Sequence, residues 1–217
     1  MADQDEAWLR QEIIDTALAM SRERLSPGTS GNVSARWEDG MLITPTGMAY
    51  DNLIPEDIVF IDGNGDSASG ARKPSSEWRF HFSAYVVRKD AHAVVHTHSR
   101  FATTLACCRR TIPAFHYMVA VAGGDDIPLA DYATFGTQEL ADHVAVALED
   151  RTACLMANHG AIACGANLDA ALGLAREVES LAAQYVAALQ TGEPHILDGD
   201  EMARVLERFE TYGQQDN

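Results

Sequence analysis

The chain has 217 residues, 47% of them hydrophobic and 22% charged, which allows one domain with a sizeable core and excludes wholesale disorder. Sixteen basic residues against 32 acidic ones give a formal charge of −16, a field that disfavours nucleic acid and anionic lipid as partners. Any bound anion must then be held by local features such as helix N-termini, backbone N–H groups or a metal.

The acidic opening Met1-Ala2-Asp3-Gln4-Asp5-Glu6 lacks the basic-then-apolar pattern of a signal peptide, and no apolar run approaches the length of a bilayer span. A cytoplasmic location and no membrane partner are expected. From residue 6 to about 24, Trp8, Leu9, Ile13, Ile14, Ala17, Leu18 and Met20 recur at helical spacing. Residues 26–32 form a loop of small residues and turn formers, followed by short strands near 33–36 and 41–43 joined at Glu38-Asp39-Gly40. A turn at Thr44-Pro45-Thr46-Gly47 precedes a strand near 58–61, and the polar stretch 62–72 reads as an exposed hairpin loop. Pro74-Ser75-Ser76 opens a helix running to about 89, with serine in the capping position. A strand is predicted over 93–98, a short helix over 100–107 and a helix over 137–148. Strands over 153–157 and 161–163, a long amphipathic helix over 168–189 and a last helix over 201–209 complete the series. Short strands mixed with helices, without regular βαβ alternation, indicate α/β layers around a largely antiparallel sheet.

Four cysteines, Cys107, Cys108, Cys154 and Cys164, form no C-x-x-C pair, so free thiols are expected rather than a zinc ribbon or redox site. The sharpest local feature is Ala93-Val94-Val95-His96-Thr97-His98. Residues two apart on a strand share a face, so His96 and His98 can chelate one metal ion. His159, in Asn158-His159-Gly160 after a second apolar strand, offers a third imidazole, and the glycine frees the backbone to turn there. Three histidines with an open position is the arrangement of a catalytic zinc. Spacing alone does not select His159 over His81, His92, His116, His143 or His195; His81 and His92 read as helix-surface and turn residues. Glu77, in the first helical turn, either complements the helix dipole or serves as a carboxylate beside the metal. Ser75 and Ser76, Thr29-Ser30-Gly31-Asn32 and residues 44–47 each offer hydroxyl or backbone donors to a phosphate.

These motifs resemble the class II aldolase and adducin family, of the fuculose-phosphate aldolase and ribulose-phosphate epimerase type. The resemblance runs in order through Gly28-Thr29-Ser30-Gly31-Asn32-Val33-Ser34, Met41-Leu42-Ile43-Thr44-Pro45-Thr46-Gly47 and Pro74-Ser75-Ser76-Glu77-Trp78-Arg79-Phe80-His81. It continues through residues 93–98, Ile112-Pro113-Ala114-Phe115-His116-Tyr117-Met118, Tyr132-Ala133-Thr134-Phe135-Gly136-Thr137 and Asn158-His159-Gly160. It implies one domain over 1–217 with a mobile tail from about 210, and a layered α/β/α fold. By position it makes His96, His98 and His159 zinc ligands, and Glu77 the acid/base that also touches zinc when no substrate is bound. Thr29, Asn32, Ser75 and Ser76 match phosphate-binding positions, with Gly47 beside them. Tyr117 matches a tyrosine that serves the aldehyde oxygen from a neighbouring subunit. Phe135 and Tyr212 match residues that cover the site, and a homotetramer is implied.

The implied activity is cleavage of a ketose 1-phosphate, such as L-fuculose 1-phosphate or another deoxy-ketose or pentulose 1-phosphate. The products are dihydroxyacetone phosphate and a short aldehyde such as L-lactaldehyde. The charge left by cleavage must rest on a lysine enamine or a metal. The two lysines, Lys73 and Lys89, both read as surface, which favours the metal. Sugar-phosphate epimerases of this resemblance carry aspartate where Glu77 stands, and methylthioribulose-phosphate dehydratases match the local motifs less. A non-catalytic adducin-like module lacks the three histidines that this chain has.

Overall fold

The computed structural model describes residues 2–68 and 70–209. Helix α1 (Ala2–Arg22) leads into strands β1 (Asn32–Trp37), β2 (Gly40–Ile43) and β3 (Val59–Ile61). Helix α2 (Trp78–Val87), strand β4 (Ala93–Thr97) and helix α3 (Arg100–Cys107) follow. Short strands β5 (Ile112–Pro113), β6 (Asp126–Ile127) and β7 (Leu129–Ala130) surround a 3-10 turn over Tyr117–Ala122. Helix α4 (Gln138–Leu148), strands β8 (Ala153–Met156) and β9 (Gly160–Gly165), and helices α5 (Leu168–Thr191) and α6 (Gly199–Phe209) complete the chain.

The main sheet has the order β3-β2-β1-β4-β9-β8-β7, antiparallel at every pairing except β7 with β8. Both of its faces are covered. Ile13, Ala17 and Met20 of α1, Leu105 of α3, Val178 and Leu181 of α5 and Met202 of α6 pack with Val33, Val95, Leu155 and Ala163. Phe80 and Ala84 of α2 and Leu140, Val144 and Leu148 of α4 pack on the other side with Ile43, Val94, Met156 and Ile162. Alternate residues of each strand serve opposite layers, which is why the strands read as continuous apolar runs rather than as alternating ones. The result is a single-domain α/β/α fold around a mostly antiparallel sheet, as the sequence predicts.

Three local departures have identifiable causes. The helix expected from residue 74 begins at Trp78, because Ser75 N–H donates to the Thr44 carbonyl and Pro74 bridges Pro45, which keeps the segment extended. Residues 108–136 hold two-residue strands too short to leave a periodic signal. The strand expected to reach His98 ends at Thr97. The expected tail from about residue 210, with Tyr212, lies outside the described residues.

Candidate functional site

Strand β4 carries His96 on its α2–α4 face, where it pairs with Ile162 of β9, while Thr97 pairs with Ala161 on the opposite face. His96 is fully buried, with its ring edge-on to Phe80. Its Nδ1 lies 2.9 Å from the Ala161 carbonyl. A carbonyl only accepts, so Nδ1 carries the proton and Nε2 offers its lone pair to the site. His98 follows the strand end, and its Nε2 stands 2.9 Å from His96 Nε2.

His159 comes from the turn joining β8 and β9. Asn158, with φ at 54°, takes the left-handed conformation that reverses the chain, a role asparagine tolerates well. The expectation that Gly160 frees this turn is therefore corrected. Gly160 is needed because a Cβ there would stand 2.2 Å from the Thr97 carbonyl oxygen and 3.2 Å from the His98 ring. The close approach brings the β8–β9 turn against the end of β4, and the ring centroids of His96, His98 and His159 lie 4.8 to 4.9 Å apart.

Glu77 stands at the N-cap of α2 and makes no capping bond with its side chain. Its Oε1 is 2.9 Å from His159 Nε2, and its Oε2 is 3.4 Å from His96 Nε2. Asn32 Nδ2 donates to Oε2 at 2.9 Å. Burial disfavours the Glu77 carboxylate, but the fields of His96 and His159 and hydrogen bonds from His159 and Asn32 override it and hold its pKa at about 2. Burial drives the His96 imidazole well below its usual range, against the attraction of Glu77. His98 is lowered too, by burial and by His159. Ionised carboxylate and neutral imidazoles are the forms that ligate metals.

One ligand atom from each of Glu77, His96, His98 and His159 lies within 4.8 Å of the other three, so the cluster could hold a metal ion. The donor chemistry fits a divalent ion that takes nitrogen and oxygen ligands, and the fixed His96 tautomer supplies the outer hydrogen bond such sites use. Glu77, His98 and His159 open onto a cavity of about 410 Å³. Thr29, Asn32, Gly47, Ser75 and Ser76, from three separate segments, line the same cavity, with Phe135 from a fourth. Gly47, with φ at 69°, holds a left-handed conformation open to glycine at no cost. Thr46 N–H donates to the Lys73 carbonyl at 3.1 Å, tying the second loop to the third. The Tyr50 hydroxyl donates to the Gly31 carbonyl and anchors the first.

Tyr117 is not brought in. It is about half exposed on its 3-10 turn, stacked on His116, and does not line this cavity. His81 was expected on a helix surface and is instead fully buried, because α2 turns that face onto β1. Its Nε2 meets Asn32 Oδ1 at 2.5 Å and its Nδ1 meets Ser34 Oγ at 2.7 Å. His81, Ser34 and Tyr85 are thus site-supporting residues that sequence reasoning missed; a polar Ser34 inside an apolar strand was the available signal. Tyr132 and Asn158 also line the cavity, and nothing local marked Tyr132 apart from its motif.

The sequence pattern of the family described as Class II Aldolase and Adducin N-terminal domain matches residues 11–186. The L-fuculose phosphate aldolase of Escherichia coli K12 is 55% identical over 206 residues, covering 94% of this chain and 95% of that protein. A 5-methylthioribulose-1-phosphate/5-deoxyribulose-1-phosphate aldolase of Rhodospirillum rubrum is 57% identical over 205 residues, covering 94% and 92%. The solved structure of an L-fuculose 1-phosphate aldolase superposes with a TM-score of 0.89 at 43% identity, over 93% of this chain and 96% of that one.

Proposed function

The chain belongs to the class II aldolase and adducin family, and we propose that it cleaves a deoxy-ketose 1-phosphate, L-fuculose 1-phosphate or a similar pentulose 1-phosphate, by a zinc-dependent retro-aldol reaction. The products are dihydroxyacetone phosphate and a short aldehyde such as L-lactaldehyde. Relatives at 55% and 57% identity that are named as ketose 1-phosphate aldolases support the reaction class. The observation that carries the reading is the convergence of the Glu77 carboxylate and three imidazoles on a cavity rimmed by hydroxyl and amide donors.

His96, His98 and His159, with Glu77 when the cavity holds no substrate, are the residues that would hold the metal. A divalent zinc ion there supplies electrostatic stabilisation of the negative charge left when the carbon–carbon bond breaks. Thr29, Asn32, Ser75 and Ser76, with the backbone at Gly47, hold the phosphate and fix the ketose so that its C3–C4 bond lies beside Glu77. Cleavage removes the proton from the C4 hydroxyl, turns that carbon into the aldehyde and leaves the bonding pair on C3. Tyr117 of a neighbouring subunit passes the C4 hydroxyl proton from the forming aldehyde oxygen to solvent. Glu77, which takes up a proton in the substrate complex, delivers one to C3 through a carboxylate oxygen, so the proton count balances. The exposure of Tyr117 away from its own chain's cavity leaves it free to act in that way, in the homotetramer that the family resemblance implies. Phe135, about two-thirds exposed at the cavity rim, covers the aldehyde end. Lys73 and Lys89 are exposed, so neither is placed for an enamine route.

The same reading puts the chain in the cytoplasm; among the described residues no helix is long and apolar enough to cross a membrane. The test is release of dihydroxyacetone phosphate from L-fuculose 1-phosphate and ribulose 1-phosphate, before and after chelation. Activity that disappears with chelator and returns with zinc is the expected outcome. Zinc-loaded protein that epimerises or dehydrates the ketose, or leaves it intact, would overturn the proposal.

A further inference from the structure

Behind Glu77 runs a chain of buried polar side chains that the cleavage reaction does not itself explain. Glu77, His81 and Tyr85 recur every four residues along α2, a rise of about 6 Å per step. Asn32 and Ser34 recur every two residues along β1, a rise of about 6.6 Å. The two periods nearly match, so the helix stripe and the strand stripe interlock: Glu77 with Asn32, Asn32 with His81, His81 with Ser34, and Ser34 with Tyr85 at 2.9 Å. All five side chains are buried, and His81 and Ser34 have no exposed surface.

The direction of every hydrogen bond in this chain is determined. The Glu77 carboxylate only accepts, so Asn32 presents its NH2 group there and its Oδ1 to His81. Oδ1 only accepts, so His81 carries its proton on Nε2. Burial holds this imidazole neutral, with a pKa of about 3 against the attraction of Glu77. Nδ1 therefore accepts from Ser34, whose Oγ accepts from the Tyr85 hydroxyl; burial pushes that phenol well above its usual range, so it remains a donor.

We propose that His81 is a positioning residue, which acts through Asn32 to present an NH2 group rather than a carbonyl oxygen to Glu77 and to the anion-binding side of the cavity. Asn32 lines that cavity and has a second N–H beyond the one given to Glu77. The flipped amide would set a carbonyl oxygen against both the Glu77 carboxylate and the substrate phosphate. His81 thereby sets the sign of the partial charge that two functional groups meet, without touching either. Ser34, backed by Tyr85, satisfies its Nδ1 from behind.

This inference rests on Glu77 as acid/base and on Asn32 as a phosphate contact, and its first test is independent of both. In metal-free protein labelled with 15N at histidine, long-range 1H–15N correlation at pH 6 to 8 should show His81 as the Nε2-protonated tautomer. The Nδ1-protonated tautomer, or a doubly protonated ring, would overturn the proposal. The second test uses zinc-loaded protein. His81→Leu is expected to lower kcat by about 10- to 100-fold, the usual cost of an outer-sphere partner, with zinc still bound at one per chain. His81→Gln, whose amide N–H can replace the Nε2–H donor, should recover to within about threefold of the parent if hydrogen bonding is the cause. A folded His81→Leu variant with unchanged kcat, or a His81→Gln variant as impaired as His81→Leu, would refute it. If His81→Leu does not fold, His81→Met replaces it on the same readout: a fall in kcat of about 10- to 100-fold with zinc still bound supports the proposal, and an unchanged kcat refutes it. Full activity of Glu77→Gln, by contrast, would remove the acid–base reading while leaving the tautomer result standing.

Discussion

Asn32 on β1 stands directly across from His96 on β4, so the amide that donates to Glu77 and the imidazole that faces Glu77 come from paired positions of adjacent strands. Cross-strand partners share a face, and Glu77 descends onto that face from the start of α2. The carboxylate is held from β1 and from the β8–β9 turn, by Asn32 and His159, while His96 faces it from β4 at 3.4 Å.

Replacing that carboxylate tests its role. Glu77→Gln keeps the size and a hydrogen-bonding oxygen but cannot exchange a proton at pH 7. Cleavage of L-fuculose 1-phosphate is expected to fall by about 100- to 10,000-fold in kcat, the range for lost general acid–base catalysis. Stopped-time assay of dihydroxyacetone phosphate in zinc-loaded protein checks it; a loss below tenfold would assign the proton to another group.

The hydroxyls at the cavity rim make a different prediction. Ser76→Ala and Thr29→Ala should raise KM with kcat little changed, because phosphate contacts made equally in ground and transition states are uniform binding. About tenfold in KM corresponds to one hydrogen bond to a charged group. An equal fall in kcat would place these hydroxyls at the reacting carbons instead.

Mixing two inactive variants examines the neighbouring-subunit role of Tyr117. Glu77→Gln and Tyr117→Phe chains, unfolded together and refolded with zinc, should regain activity that neither shows alone. Each restored site takes Glu77 from one chain and Tyr117 from another. Mixtures that stay at the level of the separate variants would show that Tyr117 does not act across a subunit boundary.

His81 gives the metal-free protein a predictable pH response. Its folded pKa of about 3 lies below its ordinary value of 6.5, so between those values the unfolded chain binds the extra proton. Stability contributed by the neutral ring is therefore present above pH 6.5 and lost as pH falls from there toward 3. The full shift corresponds to at most roughly 4 to 5 kcal/mol. Between pH 6.5 and 5 the carboxylates remain ionised, so urea unfolding of the parent and of His81→Gln isolates the effect. The parent should lose more stability on acidification than the variant; equal losses would show that His81 is not held neutral.

Gly160→Ala addresses the approach of the β8–β9 turn to β4. The added methyl would meet the Thr97 carbonyl oxygen at 2.2 Å, which is backbone and yields only if the strand moves. A loss of about 1 to 3 kcal/mol in urea unfolding is expected, with reduced zinc occupancy because His159 moves with the turn. An alanine variant as stable as the parent would show that the turn has slack.

Much of this was legible in the sequence, for reasons that can be traced to individual residues. His96 and His98 announce a shared face through a period of two on an apolar strand. The layered fold follows from short apolar runs mixed with amphipathic helices without regular alternation. Glu77 was ambiguous because its position at a helix start is explained equally by the helix dipole; only the register of Asn32 and the nearness of His159 resolve it. His159 was indistinguishable by spacing from other histidines, since what selects it is the lateral pairing of β9 with β4. His81 was misread because its burial depends on Ser34 and Tyr85, polar residues that satisfy one another only after α2 has docked on β1. The late start of α2 was likewise hidden, being set by the Thr44–Ser75 hydrogen bond between distant loops.

The position of β9 bears on how the protein is made. This last strand of the sheet to be synthesised is inserted in its middle, between β4 and β8, and the candidate ligands run from residue 77 to residue 159. Its contacts with β4 join segments far apart in sequence, the kind of pairing that slows folding because a long loop must close before it is rewarded. A nascent chain still on the ribosome at β8 has neither His159 nor the Ala161 carbonyl that orients His96. A metal could therefore meet all four candidate ligands only after the β8–β9 turn has been made, late in synthesis.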